Sequence, residues 1–344
     1  MKAQYKKHIL EFKQPSGTSR GVLKTKETWF LKITDGENTG VGECGILRGL
    51  SYDDRPDYEK KLLWTCKHIT KGKDWLWQEL MEYPSIQMGV EMAFMSLKAS
   101  NPFMFIPSDF TQGKQAIDIN GLIWMGDEGF MKSQVSQLME KGFSCIKMKI
   151  GAIDTKQELE ILASIRKQFD KDKITLRVDA NGGFAFAQAQ HILRDLAALN
   201  IHSIEQPIAT GNWQEMAQLC ADTPTPIALD EELIGITDYA KKRKLLESIR
   251  PQYIILKPSF IGGFKGSQEW IELANELDIG WWVTSALESN IGLNAIAQWT
   301  YAIHAKGPQG LGTGSLYTNN IPAPLEVKNG TLQYNPGIDW DFKF

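Results

Sequence analysis

Histidine and cysteine are scarce in this chain, five and four among 344 residues. Cys44, Cys66, Cys145 and Cys220 lie far apart and form no CxxC pair, so neither a zinc ribbon nor a disulfide framework is indicated, and buried apolar filler is their expected role. His8, His68, His191, His202 and His304 include no HxH or HExxH pairing, which disfavours a histidine-based metal site. Long apolar runs are missing too. No stretch approaches the roughly 18 uninterrupted apolar residues of a membrane span. The opening MKAQYKKHILEFKQP has its apolar run broken by charge and leads to no small-residue cleavage site, so it reads as a first strand. A soluble, cytoplasmic protein with no membrane partner is expected. A net charge of −3 with no block of like charge gives nucleic acid no basic footprint to bind.

What the chain does have is a period. Asp179, Glu205 and Asp230 each end a short apolar run, in TLRVDANGG, IHSIEQPI and PIALDEEL, and stand 26 and then 25 residues apart. A strand of about 5 residues, a helix of about 11 and two connections of 2 to 6 fill such an interval. Each step is therefore one β/α unit, and the three carboxylates fall on the same rim of a parallel sheet. Lysines extend the series, with Lys147 and Lys149 in CIKMKIG before it and Lys257 in YIILKPSF after it. Strand side chains alternate between faces, so Lys147 and Lys149 share one. Five successive strands carry charge at one end.

The rest of the chain frames this series. Residues 1 to about 47 read as a three-stranded antiparallel meander, QYKKHILEF, KETWFLKIT and VGECGIL. Helical patterns follow. After Pro84, which suits a first helical turn, Met88, Met92, Met95 and Ala99 recur at helical spacing as a core-packing stripe. From about residue 116 the apparent strands are IDINGLIW, CIKMKIG, TLRVDAN, IHSIEQP, PIALDE, YIILKPS, GWWVTSALES and GPQGLGTGS. Eight strands alternating with helices favour an α/β protein with a closed (β/α)8-type barrel, and the length leaves room for a smaller second domain. LEVKNGTLQYNPGIDW places Asn329-Gly330 between two strand-like runs and reads as a hairpin, expected to pack back on the N-terminal domain. The division expected is an α+β capping domain over 1–115, a barrel over 116–318 and a C-terminal hairpin segment over 319–344.

Three carboxylates on adjacent strand ends make an all-oxygen site suited to a hard divalent cation, Mg²⁺ first. The competing reading is three independent rim salt bridges with the lysines. A lysine beside a cation in a barrel mouth is pushed toward its neutral form and can act as a general base. Because Lys149 and Lys257 flank the acids, a substrate between them would be placed for proton abstraction next to a carboxylate. Removing that weakly acidic proton creates a dianionic enediolate, whose charge a cation can absorb.

The segments VGECGIL, KMKIG, DANGG, IEQP, LDEE, ILKPS and TSALESNIGL, in this order and spacing, resemble the enolase superfamily, specifically its muconate-lactonizing-enzyme-like subgroup, over almost the whole chain. Sites of that superfamily pair a lysine or histidine base with Mg²⁺. The resemblance implies an enolase-like fold, a barrel carrying an N-terminal α+β capping domain. It makes Asp179, Glu205 and Asp230 the ligands of Mg²⁺, or of Mn²⁺. It makes Lys149 the main base with Lys257 opposite. Lys147 would hold the substrate carboxylate and lower the pKa of Lys149. Asn181 would support the site from the face of Asp179, and Glu231 would contact Lys257. Ser285 and Glu288 resemble a serine and a glutamate widespread in the subgroup.

Members with two opposed lysines include o-succinylbenzoate synthases, N-acylamino acid racemases, dipeptide epimerases and muconate cycloisomerases, which the fold does not separate. The epimerases typically carry an Asp-x-Asp pair after the eighth strand. Here the segment is GLGTGSLYTNN, with no acid. Its Gly312 and Thr313 offer backbone N–H groups to an anionic or carbonyl-bearing tail, with a Gly-rich turn that holds no ligand as the equal alternative, while the Gly310, Gly312 and Gly314 spacing is wrong for a dinucleotide fingerprint. Arg20 and Arg48, in capping loops over 16–21 and 47–52, are candidates to meet a substrate carboxylate as the domain closes over the barrel, and a simply solvated side chain is the competing reading for each. The activity the resemblance favours is the Mg²⁺-dependent syn dehydration of 2-succinyl-6-hydroxy-2,4-cyclohexadiene-1-carboxylate to 2-succinylbenzoate, a lyase step of menaquinone biosynthesis. An N-acylamino acid racemase or dipeptide epimerase comes second. A metal-dependent sensor of acidic metabolites is the non-enzyme alternative, against which the presence of both opposed bases argues. The partner expected is a small-molecule carboxylate, and the chain is compatible with a homo-oligomer.

Overall fold

In KETWFLKIT, Trp29, Leu31 and Ile33 alternate with Thr28, Phe30 and Lys32, the pattern of a strand with two faces to bury. The structure, a computed structural model, describes residues 1–18, 21–123, 127–151 and 154–344; the side chains of residues 15–18, 21 and 128 lie outside that description. It builds the meander as β1 (Lys2–Thr18), β2 (Gly21–Asp35) and β3 (Asn38–Gly45), antiparallel in that order. Trp29, Leu31 and Ile33 pack on the helices α1 (Tyr58–Lys67), α2 (Lys73–Glu79) and α3 (Pro84–Lys98), whereas Phe30 on the other face joins the barrel core.

Helix α3 is sandwiched. Ile86 and Val90 turn to the capping core, and Met88 and Met92, from the expected methionine stripe, turn to the barrel. Its contact with β3 is backbone on backbone, for a Cβ on Gly42 would lie 1.9 Å from the Gly89 carbonyl oxygen.

After the short strand β4 (Ile117–Asp118) the barrel begins with β5 (Gly121–Ile123) and continues as α4 (Glu128–Glu140), β6 (Cys145–Lys149), α5 (Thr155–Gln168), β7 (Thr175–Asp179), α6 (Phe186–Ala198) and β8 (Ser203–Glu205). Then come α7 (Trp213–Ala221), β9 (Ile227–Leu229), α8 (Tyr239–Ile249), β10 (Tyr253–Leu256), α9 (Pro258–Ile261), α10 (Gly263–Glu276), β11 (Gly280–Val283) and α11 (Asn290–Ala302). Strands β5 to β11 form one parallel sheet in chain order, as the 25-residue period requires.

Two expectations need refinement. The run IDINGLIW splits, β5 entering the barrel while β4 joins the C-terminal hairpin; its Trp124 lies outside the described residues. The eighth run, GPQGLGTGS, forms bridges only, Gln309 to Ile119 on one side and Gly310 to Thr284 on the other. Those bridges, to residues just before β5 and just after β11, close the barrel. A regular strand is disfavoured there by Pro308, which lacks an N–H, and by glycines that give a sheet no side chain to pack.

The hairpin itself is β12 (Leu325–Lys328) and β13 (Thr331–Tyr334), turning at Asn329 and Gly330 with φ of 52° and 69°. It pairs with β4 rather than with the capping sheet. The tail behind it does reach that sheet, where Phe342 packs edge-on to Phe30 and Lys32 sits over Phe344. Among the described residues no helix is long and apolar enough to cross a membrane.

The capping domain also holds a buried acid. Asp53 Oδ2 accepts from the backbone N–H and the hydroxyl of Ser85 at the start of α3, while its Oδ1 is buried without a partner. Burial pushes its carboxyl from 3.8 up to about 7. The folded chain thus binds an extra proton between about pH 4 and about pH 7, and this group's contribution to stability falls as pH rises through that window. The melting temperature of Asp53→Asn is expected to change less than that of the native chain between pH 5 and pH 8; equal slopes would show that Asp53 ionises normally.

Candidate active site

Parallel register sets the first geometry. Lys149 is level with Asp179 on β7, and Asp179 is level with Glu205 on β8, while Asp230 stands two residues beyond Ala228, the partner of Glu205. All three acids are buried, at 1%, 0% and 2% exposure. Lys147 contacts Glu205 and lies 2.8 Å from Asp179, Lys149 donates to Asp179 Oδ2 at 2.8 Å and to Asn181 Oδ1 at 2.6 Å, and Lys257 contacts Asp230. Lys149 and Lys257 follow strands four places apart in the sheet, β6 and β10, which sets them across the mouth from each other.

The charges compete. Burial works against the Lys147 ammonium, but Asp179, Glu205 and Asp230 outweigh it and hold Lys147 well above its ordinary value. Burial likewise opposes the Lys257 charge, and Asp230 and Glu231 more than offset it. At these two lysines the facing carboxylates favour the ammonium form; the expected push toward neutrality belongs to a lysine beside a bound cation. Burial pushes Asp179 up, yet Lys147 and Lys149 keep it well below the usual range. Glu205 carries the residual strain. Burial, aided by the charges of Asp179 and Asp230, drives it up to about 8, and its Oε1 is buried without a hydrogen-bond partner.

Around this cluster lie smaller ties. Asn181, at φ 45°, donates from Nδ2 to Glu231 Oε1 at 2.9 Å, so Glu231, expected beside Lys257, braces Asn181 and reaches Lys257 through its charge. Gln206 was not anticipated. Its Oε1 accepts from the Asp230 and Glu232 N–H groups and its Nε2 donates to Glu232 Oε2, which locks the β8 end to the β9 end. The IEQP motif carried that signal, since a buried amide beside a strand-end acid must find several partners. One layer below Asp179, Arg177 donates to the Pro308 carbonyl and lies 4.1 Å over the Trp282 ring, plugging the barrel beneath the acids.

Above the cluster opens a cavity of about 660 Å³, lined by Lys147, Lys149, Asn181, Lys257, Ser285, Gly312 and Thr313 from the barrel and by Leu23, Leu47, Arg48 and Leu50 from the capping domain. Arg48 is already engaged by Glu27 and Asp54. Arg20 lies outside the described residues. Glu288 stands behind the wall, accepting from Ser285 and Ser259 at 2.6 Å each, and Thr313 donates to Ser285 at 2.9 Å. Asn120 and Asn290 also line the cavity, and nothing in their sequence context marked them.

The donor chemistry fits a hard cation: three carboxylates on adjacent strand ends, mutual repulsion in want of positive charge, and an orphaned oxygen on Glu205. Among the described residues no three such groups converge on one point, because the lysines stand between them. The site thus has the right groups, arranged about ammonium ions.

Residues 131–340 match the family model of enolase C-terminal domain-like proteins. The chain is 43% identical to the o-succinylbenzoate synthase of Desulfotalea psychrophila, over 96% of this chain and 98% of that protein. It superposes on the crystal structure of MenC from the same organism with a TM-score of 0.87 and 39% identity, covering 97% of this chain and 99% of that one. The muconate lactonizing enzyme of Pseudomonas fluorescens shares the fold, with a TM-score of 0.84 at 20% identity over 98% of this chain and 96% of that one. The chain belongs to the enolase superfamily, whose enzymes are generally dependent on a divalent metal.

The cavity wall built from the eighth run yields a direct test. A Cβ on Gly310 would sit 2.5 Å from Thr284 Oγ1 and 2.7 Å from its Cγ2. Gly310→Ala is expected to lower the urea midpoint, at a cost on the order of 1–3 kcal/mol, with partial rescue by Thr284→Ala. An unchanged midpoint would mean that this segment gives way freely.

Proposed function

We propose that this chain acts as an o-succinylbenzoate synthase, a lyase that dehydrates 2-succinyl-6-hydroxy-2,4-cyclohexadiene-1-carboxylate to 2-succinylbenzoate in menaquinone biosynthesis. The observation that carries the proposal is the placement of Lys149 and Lys257 across one cavity, on either side of a buried carboxylate cluster. The full-length similarity to the Desulfotalea synthase supports the choice of reaction.

Asp179, Glu205 and Asp230 would hold the divalent cation, Mg²⁺ by preference. When bound, it supplies positive charge that eases the build-up of negative charge on the substrate carboxylate. The chain's own groups do the proton work. Lys149 removes the proton alpha to the ring carboxylate and returns a proton to the departing hydroxyl on the same face, so one acid/base suffices. The bond from Lys149 Nζ to Asn181 Oδ1 aims the amine, and near-attack placement of this kind is worth orders of magnitude in rate. Lys147 and Lys257 remain cationic on either side and stabilise the enediolate. The capping residues Leu23, Leu47 and Leu50 cover the cavity and exclude water. A racemase or epimerase would need Lys149 and Lys257 to exchange protons in turn, and the absence of an acid in GLGTGSLYTNN removes the ammonium-binding pair of the epimerases.

Purified chain is expected to consume the cyclohexadiene carboxylate, followed by loss of diene absorbance, with activity abolished by EDTA and restored by Mg²⁺. Lys149→Ala should abolish turnover; normal turnover in that variant would remove Lys149 from the reaction. No consumption by the native chain would exclude the synthase and direct attention to α-proton exchange in D₂O with N-acylamino acids and dipeptides. A second outcome separates the chemistries. Lys257→Arg keeps a cation but no usable base, so dehydration should be spared more than any racemisation, and equal losses in both would show that Lys257 moves protons in each.

A further inference from the structure

The β11–α11 loop that forms one cavity wall is held in an unfavourable shape. Leu287, which lines the cavity, has a φ of 63°, a conformation unfavourable for a non-glycine residue that persists only when its surroundings enforce it. On one side Tyr317 donates its hydroxyl to the Leu287 carbonyl at 2.6 Å. On the other the Leu287 N–H donates to Ser285 Oγ at 3.1 Å, and two residues further on the chain is tied to the capping domain. Glu43 on β3, 1% exposed, sends its carboxylate into the first turn of α11. Its Oε1 accepts from the Ser289 N–H at 2.9 Å and from the Thr28 hydroxyl at 2.8 Å; its Oε2 accepts from the Ser289 hydroxyl at 2.5 Å and from the Gly292 N–H at 2.7 Å. Four donors saturate it.

Space for this contact is built in. A Cβ on Gly292 would lie 2.9 Å from Glu43 Oε2 and 2.8 Å from the Glu288 Cβ. A Cβ on Gly45 would lie 2.8 Å from Lys26 Nζ and 3.6 Å from Glu43 Oε1, so the buried Lys26 amino group, with no hydrogen-bond partner among the described residues, shares the pocket with this carboxylate. The residue after Leu287 is Glu288, whose carboxylate joins Ser259, two residues beyond Lys257, to Ser285 and through it to Thr313 on the cavity wall.

We infer that Glu43 is a positioning residue for substrate binding: by capping α11 from the other domain, it holds Leu287 in its left-handed conformation and so sets the Ser285–Thr313 wall against the substrate. The inference rests on the synthase reading for its kinetic consequence only. Among the described residues Glu43 makes no hydrogen bond or ion pair with Lys149, Lys257 or the three acids, so its loss acts on binding rather than on proton transfer. In Glu43→Gln one of the two oxygens becomes an amide NH₂, which faces donors where it needs an acceptor.

The decisive experiment pairs steady-state kinetics with amide hydrogen exchange on the full chain. Glu43→Gln is expected to raise KM for the cyclohexadiene carboxylate about tenfold, as loss of a buried cap would, with kcat within about twofold. Exchange at residues 285–292 should rise about tenfold while residues 254–261 are unaffected. Thr28→Val, which removes one donor of the four, should give a smaller change in the same direction. Glu91→Gln is the control for the domain interface. Glu91 on α3 accepts from the Phe264 and Lys265 N–H groups at the start of α10 and does not touch the loop, so that variant should leave exchange at 285–292 unchanged. The inference is overturned if Glu43→Gln lowers thermal stability with KM and loop exchange unaltered, or if exchange rises equally in both segments. If the native chain dehydrates nothing, the synthase reading falls, and the exchange comparison, which needs no substrate, still decides the role of Glu43.

Discussion

Three carboxylates buried on neighbouring strands repel one another, and the barrel mouth is organised around cancelling that repulsion. At an effective dielectric near 20, two unit charges 4 Å apart interact by about 4 kcal/mol, so a cluster of three without counter-charge would be driven to take up protons. Lys147 and Lys149 on a single strand and Lys257 across the mouth supply it. The compensation is uneven. Asp179 receives two lysines and is held low, Glu205 receives one and is driven up to about 8. The acid left most in want of positive charge is also the one with an orphaned oxygen, which is why the arrangement suits a divalent cation as well as it suits ammonium ions.

The capping domain is bound to the barrel by the same electrostatic means. Its α3 is buried from both sides, which fixes position without direction, since apolar contact is non-directional. Direction comes from Glu91 at the start of α10 and Glu43 at the start of α11. Helix N-termini attract anions, and these two helices follow the strands that lead to Lys257 and to Ser285. The capping domain therefore docks on the half of the barrel opposite β6, and its apolar residues Leu23, Leu47 and Leu50 close the cavity from above.

Much of this could be read from sequence because it is periodic. The intervals from Asp179 to Glu205 to Asp230 reflect a repeated β/α unit, and the structure places their strands side by side in parallel. The meander and the hairpin turn at Asn329-Gly330 were legible from strand alternation and turn chemistry. What escaped sequence reading is what depends on partners distant in the chain. Gln206 gains its role only when β8 meets β9, and Glu43 only when β3 meets α11, 246 residues away. A single glutamate in VGECGIL carries no mark of such a partner. The hairpin's preference for β4 was hidden for the same reason: a short edge strand is defined by which neighbour has unpaired N–H groups, not by its own residues.

The irregular eighth run is the other departure from pattern, and it has a chemical counterpart. Were residues 307–315 a full strand, their N–H groups would be committed to neighbours along the whole segment. Instead Gln309 and Gly310 make the closing bridges, and Gly312, Thr313 and Ser315 line the cavity. Barrel closure is weakest where the wall nearest the Glu288 network is built. Variation of that wall leaves the carboxylate and lysine positions untouched, because those are set by β6 to β10. A fold that sets its buried carboxylates and lysines on five regular strands and builds the rest of the cavity from one irregular segment and a docked cap can alter the cavity wall without rebuilding that cluster.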